Sequence, residues 1–300
     1  MNKIHSWLLF GLFKFFSFCP LSLMYVFSDL IFYPIVYYIV GYRNKIVRNN
    51  LKNSFPDMSR KELKNVEKRF YHHFCDCFFE SIRILSMSKT EAMDRMFFLN
   101  PEIITNCTKK GQGVLLVLGH YGNWEFQSFV YHHMNSEGKL NGFSVYMPLR
   151  SEAFDYLYMK IRTRFQGRIV TKKGVFREVI KLKNAGEGGI FGLVSDQSPI
   201  ISDLHYWTKF LNQDTAIITG FEKMAKQTNM AVVYADVKKI SRGHYNTEFV
   251  MISENPGETK PFEIVEKYAM MMEKTILRDP AFWLWTHKRW KHKRTDTEIN

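Results

Sequence analysis

The chain has 300 residues, of which 16% are aromatic, and it carries a formal net charge of +13. This length supports one large or two modest domains and excludes a chain too small to bury a core. The basic balance favours an anionic partner, namely nucleic acid, an anionic membrane surface or an acidic carrier protein, and the aromatic excess favours the membrane surface. The cysteines show neither repeated C-x-x-C pairs nor a small secreted scaffold, which predicts reduced thiols in the cytosol. They are Cys19, Cys75, Cys77 and Cys107.

Residues 6–42 are apolar and aromatic, interrupted by Lys14, Pro20, Asp29 and Pro34. The longest uncharged runs are shorter than the ~20 residues of a straight spanning helix. No small-residue cleavage site follows, which argues against a signal peptide. Two membrane interpretations stay open: a spanning helix that tolerates a lysine near one end, or one or two interfacial helices bent at the prolines. A buried N-terminal hairpin of a soluble protein is the third.

The chain is predicted to divide into a membrane-anchoring segment, 1–42, a helical lead-in, 43–112, and a single catalytic domain, 113–300, with a basic Trp-rich end. Three cations follow the apolar stretch and predict its cytoplasmic flank; they are Arg43, Lys45 and Arg48. Within the lead-in, Pro56–Ser59 predicts a helix N-cap before a helix over 60–85.

From Gly113 onward, strand-like and helix-like runs alternate. The predicted strands are 114–118, 143–146, 168–171, 190–195, 231–237 and 245–252, and the predicted helices are 124–134, 152–165, 175–184, 215–227 and 261–277. Such alternation predicts an α/β fold with a mostly parallel central sheet flanked by helices.

One strand–turn–helix unit contains the first catalytic candidate. The apolar strand 114–118 ends in Gly119, His120 follows at once, and Glu125 comes five positions later at the start of a helix. Catalytic groups gather at the carboxyl ends of parallel strands, and a histidine with a nearby carboxylate suits a general base and the group that orients it. A His-x4-acid spacing arises about once by chance in such a chain. The pair His132 and Glu137 has the same spacing without a preceding strand, so context favours His120 and Glu125.

Polar residues follow the other predicted strands. Arg150 comes after strand 143–146, Arg164 lies on the next helix, and Asp196 and Gln197 follow strand 190–195. Strand ends that converge beside His120 predict the rim of a pocket, in which arginine suits a phosphate or a carboxylate. A solvated helix face remains an alternative for each arginine, and an N-cap remains one for Asp196. The crowded segment 72–77 matches no zinc-ligand spacing, so no metal site is predicted.

The segment 279–294 interleaves three Trp with five Lys and Arg. Three interpretations stay open here: nucleic-acid binding by stacking and phosphate contact, docking at a membrane interface, or a helix that packs its Trp residues into the core.

Several blocks resemble, in order, those of the bacterial lipid A biosynthesis acyltransferases, the late acyltransferases within the lysophospholipid acyltransferase superfamily. Residues 119–125 resemble the His-x4-Asp/Glu block, 164–167 the Arg-Phe-Gly-Gly block, 195–199 the Asp-Gln block and 282–291 the closing Trp-x-Trp-x-His-x-Arg-Trp-Lys signature. One departure is that Met147 stands where members often have the Arg of Tyr-Arg-Pro-Leu, and Arg150 comes three residues later.

The resemblance implies a membrane-anchored enzyme on the cytoplasmic face of the inner membrane. It implies transfer of a fatty acyl chain from an acyl carrier protein thioester to a hydroxyl of a lipid A precursor, with no cofactor and no metal. His120 would remove the hydroxyl proton, Glu125 would orient the imidazole, and Arg164 and Arg150 would bind phosphate, while Asp196 and Gln197 match a polar block of the family.

The partners implied are the acyl carrier protein, the lipid acceptor and the anionic inner-membrane surface, and no nucleic acid is expected. Two alternatives stay open. One is an O-acyltransferase acting on a lysophospholipid or an aminolipid, and the other is a non-catalytic protein on the same fold that binds membrane lipid or nucleic acid.

Overall fold

The computed structural model describes residues 3–135 and 140–297. Its centre is a seven-stranded sheet with helices packed against it, which confirms the predicted α/β class. The strands are β1 (Met96–Phe98), β2 (Val114–Leu118), β3 (Asn141–Tyr146), β4 (Arg168–Thr171), β5 (Gly189–Val194), β6 (Trp207–Phe210), β7 (Gln213–Ala216), β8 (Ala231–Ser241) and β9 (His244–Ser253). The helices are α1 (Lys3–Phe16), α2 (Leu21–Ile39), α3 (Asn44–Ser54), α4 (Arg60–Arg83), α5 (Lys89–Arg95), α6 (Glu102–Lys109), α7 (Phe129–Met134), α8 (Glu152–Arg162), α9 (Val175–Asn184), α10 (Gly220–Thr228) and α11 (Glu263–Arg278).

Strand β2 lies in the middle of the sheet order β1-β9-β8-β2-β5-β3-β4. All five of its residues are buried, and it pairs in parallel with β5 on one side and β8 on the other. A strand covered on both faces needs apolar side chains throughout, which explains the uninterrupted run over 114–118. The β8–β9 pair is the antiparallel exception in this sheet.

Two short strands depart from the sequence prediction. β1 lies within the segment predicted to be helical, and it extends the sheet by pairing in parallel with β9. Its three residues are too few to show a strand periodicity. The helix predicted over 215–227 begins only at Gly220, because residues 213–216 form the second strand of the β6–β7 hairpin. Leu211 and Asn212 both have positive φ at the turn, which suits a tight two-residue hairpin.

The predicted N-cap of α4 is confirmed. The Ser59 hydroxyl accepts from the Glu62 backbone N–H, and the Glu62 carboxylate accepts from the Ser59 N–H. This reciprocal capping box satisfies two otherwise orphan donors, which fixes where the 24-residue helix begins. The four cysteines carry free thiols.

At the N-terminus, α1 and α2 are separated by a turn at Pro20, as the sequence predicts. Pro34 does not end α2, because the backbone changes to wider π-type turns over 28–32 and 35–39. The resulting helix of 19 residues has a mean hydropathy of 1.4 and is long and apolar enough, by length and composition alone, to cross a membrane.

Candidate active site

Strand register brings His120 and Asp196 together. Leu118 is paired with Val194 at the ends of β2 and β5, and the Ser195 N–H donates to the Leu118 carbonyl at 2.9 Å. The residues two positions beyond each strand end therefore face one another. The His120 Nδ1 atom lies 2.6 Å from Asp196 Oδ1, and the His120 backbone N–H donates to Asp196 Oδ2 at 2.8 Å.

The Asp196 carboxylate is buried and accepts a third hydrogen bond, from the indole N–H of Trp283 at 2.7 Å. Burial alone would raise its pKa, but the charge of His120 and the hydrogen bonds from His120 and Trp283 lower it to about 2. The carboxylate is thus ionised at neutral pH and holds the imidazole through Nδ1.

This pairing leaves Nε2 of His120 for other chemistry. When Nδ1 carries the proton and donates a hydrogen bond to Asp196, a neutral imidazole has its lone pair on Nε2. The amide nitrogen of Gln197 lies 3.3 Å from that atom, and the indole of Trp124 packs edge-on against the ring with centroids 4.9 Å apart. The His120 side chain is 15% exposed, so the imidazole is only partly enclosed.

Glu125, which the sequence predicts to orient His120, is bound by Arg162 and Trp124 in this structure. Both carboxylate oxygens of Glu125 accept from the Arg162 guanidinium, at 2.8 and 2.7 Å, and one also accepts from the Trp124 indole at 3.1 Å. The reason is local. Residues 124–128 form a 3₁₀ turn, which directs Glu125 towards α8, while the β2–β5 register brings Asp196 to the imidazole.

A buried carboxylate on α4 also stabilises the turn that carries Glu125. Glu80 is fully buried and accepts from the Asn123 amide and from the Tyr245 hydroxyl, both at 2.9 Å. Asn123 in turn caps the 3₁₀ turn by accepting from the Glu125 N–H. Gly122 has a φ of +62°, and a Cβ there would lie 3.2 Å from Tyr245 and from Val237. The turn therefore has the left-handed geometry and the close approach that favour glycine.

The C-terminal segment closes the site and packs its Trp residues inward. Tyr121 and Trp283 form an isolated antiparallel bridge, and the Leu284 N–H donates to the His120 carbonyl at 3.1 Å. Trp283 and Trp285 are buried. Core packing is therefore the interpretation that holds for these two residues, although the segment is irregular and not a helix.

Two basic residues of the C-terminal segment, His287 and Arg289, lie near enough to Asp196 to interact with its charge. His287 accepts from the Ser198 N–H at 3.1 Å, and burial lowers its pKa to about 4. Arg289 is buried and donates to the Ala216 carbonyl at 2.8 Å. Burial lowers the pKa of Arg289 to about 10, although the charge of Asp196 acts in the opposite direction. Its other two guanidinium nitrogens have no hydrogen-bond partner within the described ranges.

The two predicted substrate-binding arginines lie apart from this hydrogen-bonded network. Arg164 is exposed and donates to the Met87 carbonyl at 3.3 Å, and Arg150 is exposed in the turn that follows β3. Of the six candidates, the structure joins His120, Asp196 and Gln197. It adds Trp283, which lies in the closing block 282–291, and Arg162, which lies two residues before the block 164–167; the sequence does not reveal the partner of either.

Two sequence features remain, the second His-x4-Glu match and the crowded segment 72–77. Glu137 of the second His-x4-Glu match lies outside the described residues, and His132 contacts the Gln166 side chain at 3.3 Å. Among residues 3–135 and 140–297, no group of three or more His, Cys, Asp or Glu side chains is arranged to hold a metal ion.

The chain is similar in sequence to known acyltransferases. The sequence model of the family described as bacterial lipid A biosynthesis acyltransferase matches residues 2–292. A curated relative from Haemophilus influenzae, named lipid A biosynthesis acyltransferase, is 22% identical over 198 residues. That match covers 65% of this chain and 60% of the relative.

Proposed function

The chain belongs to the bacterial lipid A biosynthesis acyltransferase family, and from this premise we propose that it is a membrane-associated acyltransferase of lipid A synthesis. The acyl donor is the thioester of an acyl carrier protein, and the acceptor is a hydroxyl of a lipid A precursor. The observation that carries the proposal is the 2.6 Å contact between His120 Nδ1 and Asp196, which leaves Nε2 as a base at the end of β2.

In the proposed reaction, Nε2 of His120 removes the proton of the acceptor hydroxyl as that oxygen attacks the thioester carbonyl carbon. The C–S bond of the tetrahedral intermediate then breaks, and the imidazolium returns the proton to the leaving sulfur. Asp196 keeps the imidazole in the Nδ1–H tautomer and stabilises the imidazolium, as a buried carboxylate does in other histidine-based sites. Glu125 has a different part, because with Arg162 it fixes the turn that carries the base.

Cationic side chains could bind the two anionic groups in the proposed reaction, the acidic carrier protein and the phosphate of the acceptor or of the phosphopantetheine arm. A cavity of about 910 Å³ lies between the end of α3, the β6–β7 hairpin and the C-terminal segment. Four cations line it, against the single carboxylate of Asp214; they are Lys52, Arg60, Lys293 and Arg294. Such a cavity is complementary to an acidic carrier protein. We assign Arg150 and Arg164 to phosphate on the acceptor or on the phosphopantetheine arm, and Gln197 to the polar rim beside the base.

The proposed location is the cytoplasmic face of the inner membrane. Free thiols, an exposed apolar N-terminal surface and the exposed cations Arg43, Lys45 and Arg48 support it. The proposed chemistry uses the thioester as its activated group and needs no cofactor.

The experiment is acyl transfer from loaded acyl carrier protein to a lipid A precursor in detergent micelles, followed by mass spectrometry of the lipid. The native chain should add one acyl chain, and His120→Ala should lower the rate at least about a hundredfold, because general-base catalysis supplies that much or more. His132→Ala is the matched control, since His132 has the same spacing to a glutamate and lies outside the His120 network; it should retain the native rate.

The other outcomes decide between the alternatives. Native activity on a lysophospholipid or an aminolipid, with none on the lipid A precursor, would move the acceptor to that class while keeping His120 as the base. No transfer to any acceptor, together with salt-dependent DNA binding, would contradict the enzymatic proposal. Undiminished transfer by His120→Ala would contradict the general-base role of His120 but not the acyltransferase activity.

A further inference from the structure

The two N-terminal helices pack against the same face of the body. The rings of Trp7 and Phe10 on α1 contact Tyr156 of α8, with centroids 5.4 and 5.3 Å apart. The Tyr25 hydroxyl near the start of α2 donates to Glu80 of α4 at 2.9 Å.

Further along α2 the contacts move back towards the start of α4. The Ser28 hydroxyl donates to Asp76 at 3.1 Å, and the Tyr33 ring stacks on His72 at 3.6 Å. Helix α2 therefore runs antiparallel to α4, and its inner face meets a helix that carries several charged groups.

The outer face of α1 and α2 is apolar and exposed. Its side chains recur every three or four residues, the spacing of one helix face. They include Leu8, Leu12, Phe15, Leu23, Val26, Phe27, Leu30, Ile31, Ile35, Tyr38 and Ile39. Contiguous apolar surfaces of this kind are rare on soluble monomers and mark interaction sites. Exposed cations immediately after the helix, Lys45 among them, suit an anionic lipid surface.

The middle of α2 is unsuited to the centre of a bilayer. Asp29 is bound by Arg242 through two hydrogen bonds of 2.8 Å, and the two side chains are 38% and 37% exposed. Arg242 belongs to the turn between β8 and β9. If α2 crossed the membrane, this partly exposed ion pair and a non-helical turn would lie at the depth of the acyl chains. Charged groups are costly there, and lipid-exposed irregular backbone is not tolerated.

The two ends of the apolar segment also meet the same body. α1 packs on α8, while the Arg43 guanidinium, just after α2, donates to the Thr286 carbonyl at 2.9 Å. A single crossing would place α1 on the opposite side of the membrane from α8.

We propose that α1 and α2 form a monotopic docking surface, which lies in the plane of an anionic bilayer with its outer face among the acyl chains. The N-terminus and the catalytic body are then on the same side of the membrane. The inference rests on the membrane location in the proposed function and is independent of the chemistry at His120.

The first test is topology by thiol labelling. In a Cys19→Ser background, one variant carries a short hydrophilic Gly-Ser-Cys peptide before Met1, and another carries Glu258→Cys on the exposed surface of the body. A membrane-impermeant maleimide is applied to intact spheroplasts and to inverted vesicles, and detergent-treated samples confirm that both thiols react.

Both thiols should be labelled in the inverted vesicles and protected in the spheroplasts. Labelling of the two thiols in opposite preparations would show a crossing and overturn the proposal. Recovery of the whole protein in the soluble fraction would overturn both the surface and the membrane location. Neither outcome depends on catalytic activity, so failure here is distinct from failure of the acyltransferase assay.

The second test identifies the face that binds. The triple variant Leu8→Glu, Leu30→Glu and Ile39→Glu changes exposed positions only, so its thermal unfolding midpoint should match that of the native chain. Its flotation with vesicles containing anionic phospholipid should fall at least tenfold. The control Met270→Glu and Leu277→Glu changes two exposed apolar residues of α11 and should float like the native protein. Equal flotation of the triple variant would contradict the assigned face.

Discussion

Asp196 and Glu125 are both buried carboxylates, but they differ in the basic side chain that binds each of them. Asp196 is held by a histidine, an indole N–H and a backbone N–H, whereas Glu125 is held by a guanidinium in a fork of two hydrogen bonds. An imidazole changes its charge near neutral pH, while a guanidinium does not. In the proposed function, the first pair therefore takes part in proton transfer, whereas the second fixes the shape of the turn. The His-x4-Glu spacing by itself does not distinguish the two roles.

The largest expected effect is on catalysis at Asp196. Asp196→Asn keeps the shape but removes the charge that favours the Nδ1–H tautomer, so kcat should fall on the order of a thousandfold. Steady-state acyl transfer measures the change, and the thermal midpoint checks the fold. Asp203→Asn is the matched control, because its carboxylate pairs with Lys172 at the surface. If the variant keeps more than a tenth of the native rate, a group other than Asp196 orients His120.

The second effect is on stability at Glu125. Glu125→Gln leaves Arg162 without its counter-charge, and we expect the free energy of unfolding to fall by about 2 kcal/mol. The loss is smaller than for a fully buried pair because the Arg162 side chain is 24% exposed. Urea denaturation measures it, with Glu178→Gln on α9 as a surface control.

The rate per folded molecule of Glu125→Gln should drop less than that of Asp196→Asn. A native-like stability combined with a thousandfold slower rate would invert the comparison, and would assign Glu125 to the imidazole during turnover.

A third, smaller effect comes from Trp283. Trp283→Phe keeps most of the ring packing but removes the indole N–H that donates to Asp196. Hydrogen bonds to charged groups contribute about 1.5–3 kcal/mol, so the rate at neutral pH should fall by about ten- to a hundredfold. A Trp285→Phe variant, whose indole donates to the Pro280 carbonyl, tests whether any Trp loss has this effect. If both variants lose rate equally, Trp283 acts through packing and not through Asp196.

The last effect is a pH dependence of stability. Burial holds the pKa of His287 at about 4, below its unfolded value of about 6.5, so the unfolded chain binds more protons between these values. The contribution of His287 is therefore fully present above about pH 6.5 and is lost progressively as the pH falls towards 4.

Urea midpoints at pH 7.5 and pH 5.0 measure this change. In His287→Gln, which can still accept from the Ser198 N–H, the difference between the two midpoints should shrink, while His132→Gln should leave it unchanged. His73, whose pKa is also lowered by burial, acts in the same direction and accounts for part of what remains. An unchanged difference in His287→Gln would show that this histidine is not held neutral in the folded state.

The sequence predicts the parts of this molecule that local patterns determine. Strands β2 and β4 and helix α9 have the predicted bounds, because their apolar runs and flanking turn residues are local signals. The carboxyl-edge position of His120 follows from the same logic. Local patterns do not predict that Asp196 is the partner of His120. This contact depends on the register between β2 and β5, which lie about 75 residues apart in the chain.

The sequence does not predict the β6–β7 hairpin, of which only residues 215 and 216 fall within the helix predicted over 215–227. Its turn residues, Leu211 and Asn212, include only one that favours positive φ. The fold class could therefore be derived from the sequence, whereas the contact between His120 and Asp196 needed the three-dimensional structure.

The bridge between Tyr121 and Trp283 has a consequence for synthesis of the protein. The ribosome makes α1 and α2 before residues 279–290, so the exposed apolar surface of these two helices precedes the bridge. Until those residues arrive, Asp196 lacks its indole donor and the His120 carbonyl lacks the Leu284 N–H. In the proposed function, the base at His120 therefore gains its full set of supporting hydrogen bonds only after residues 279–290 have been made.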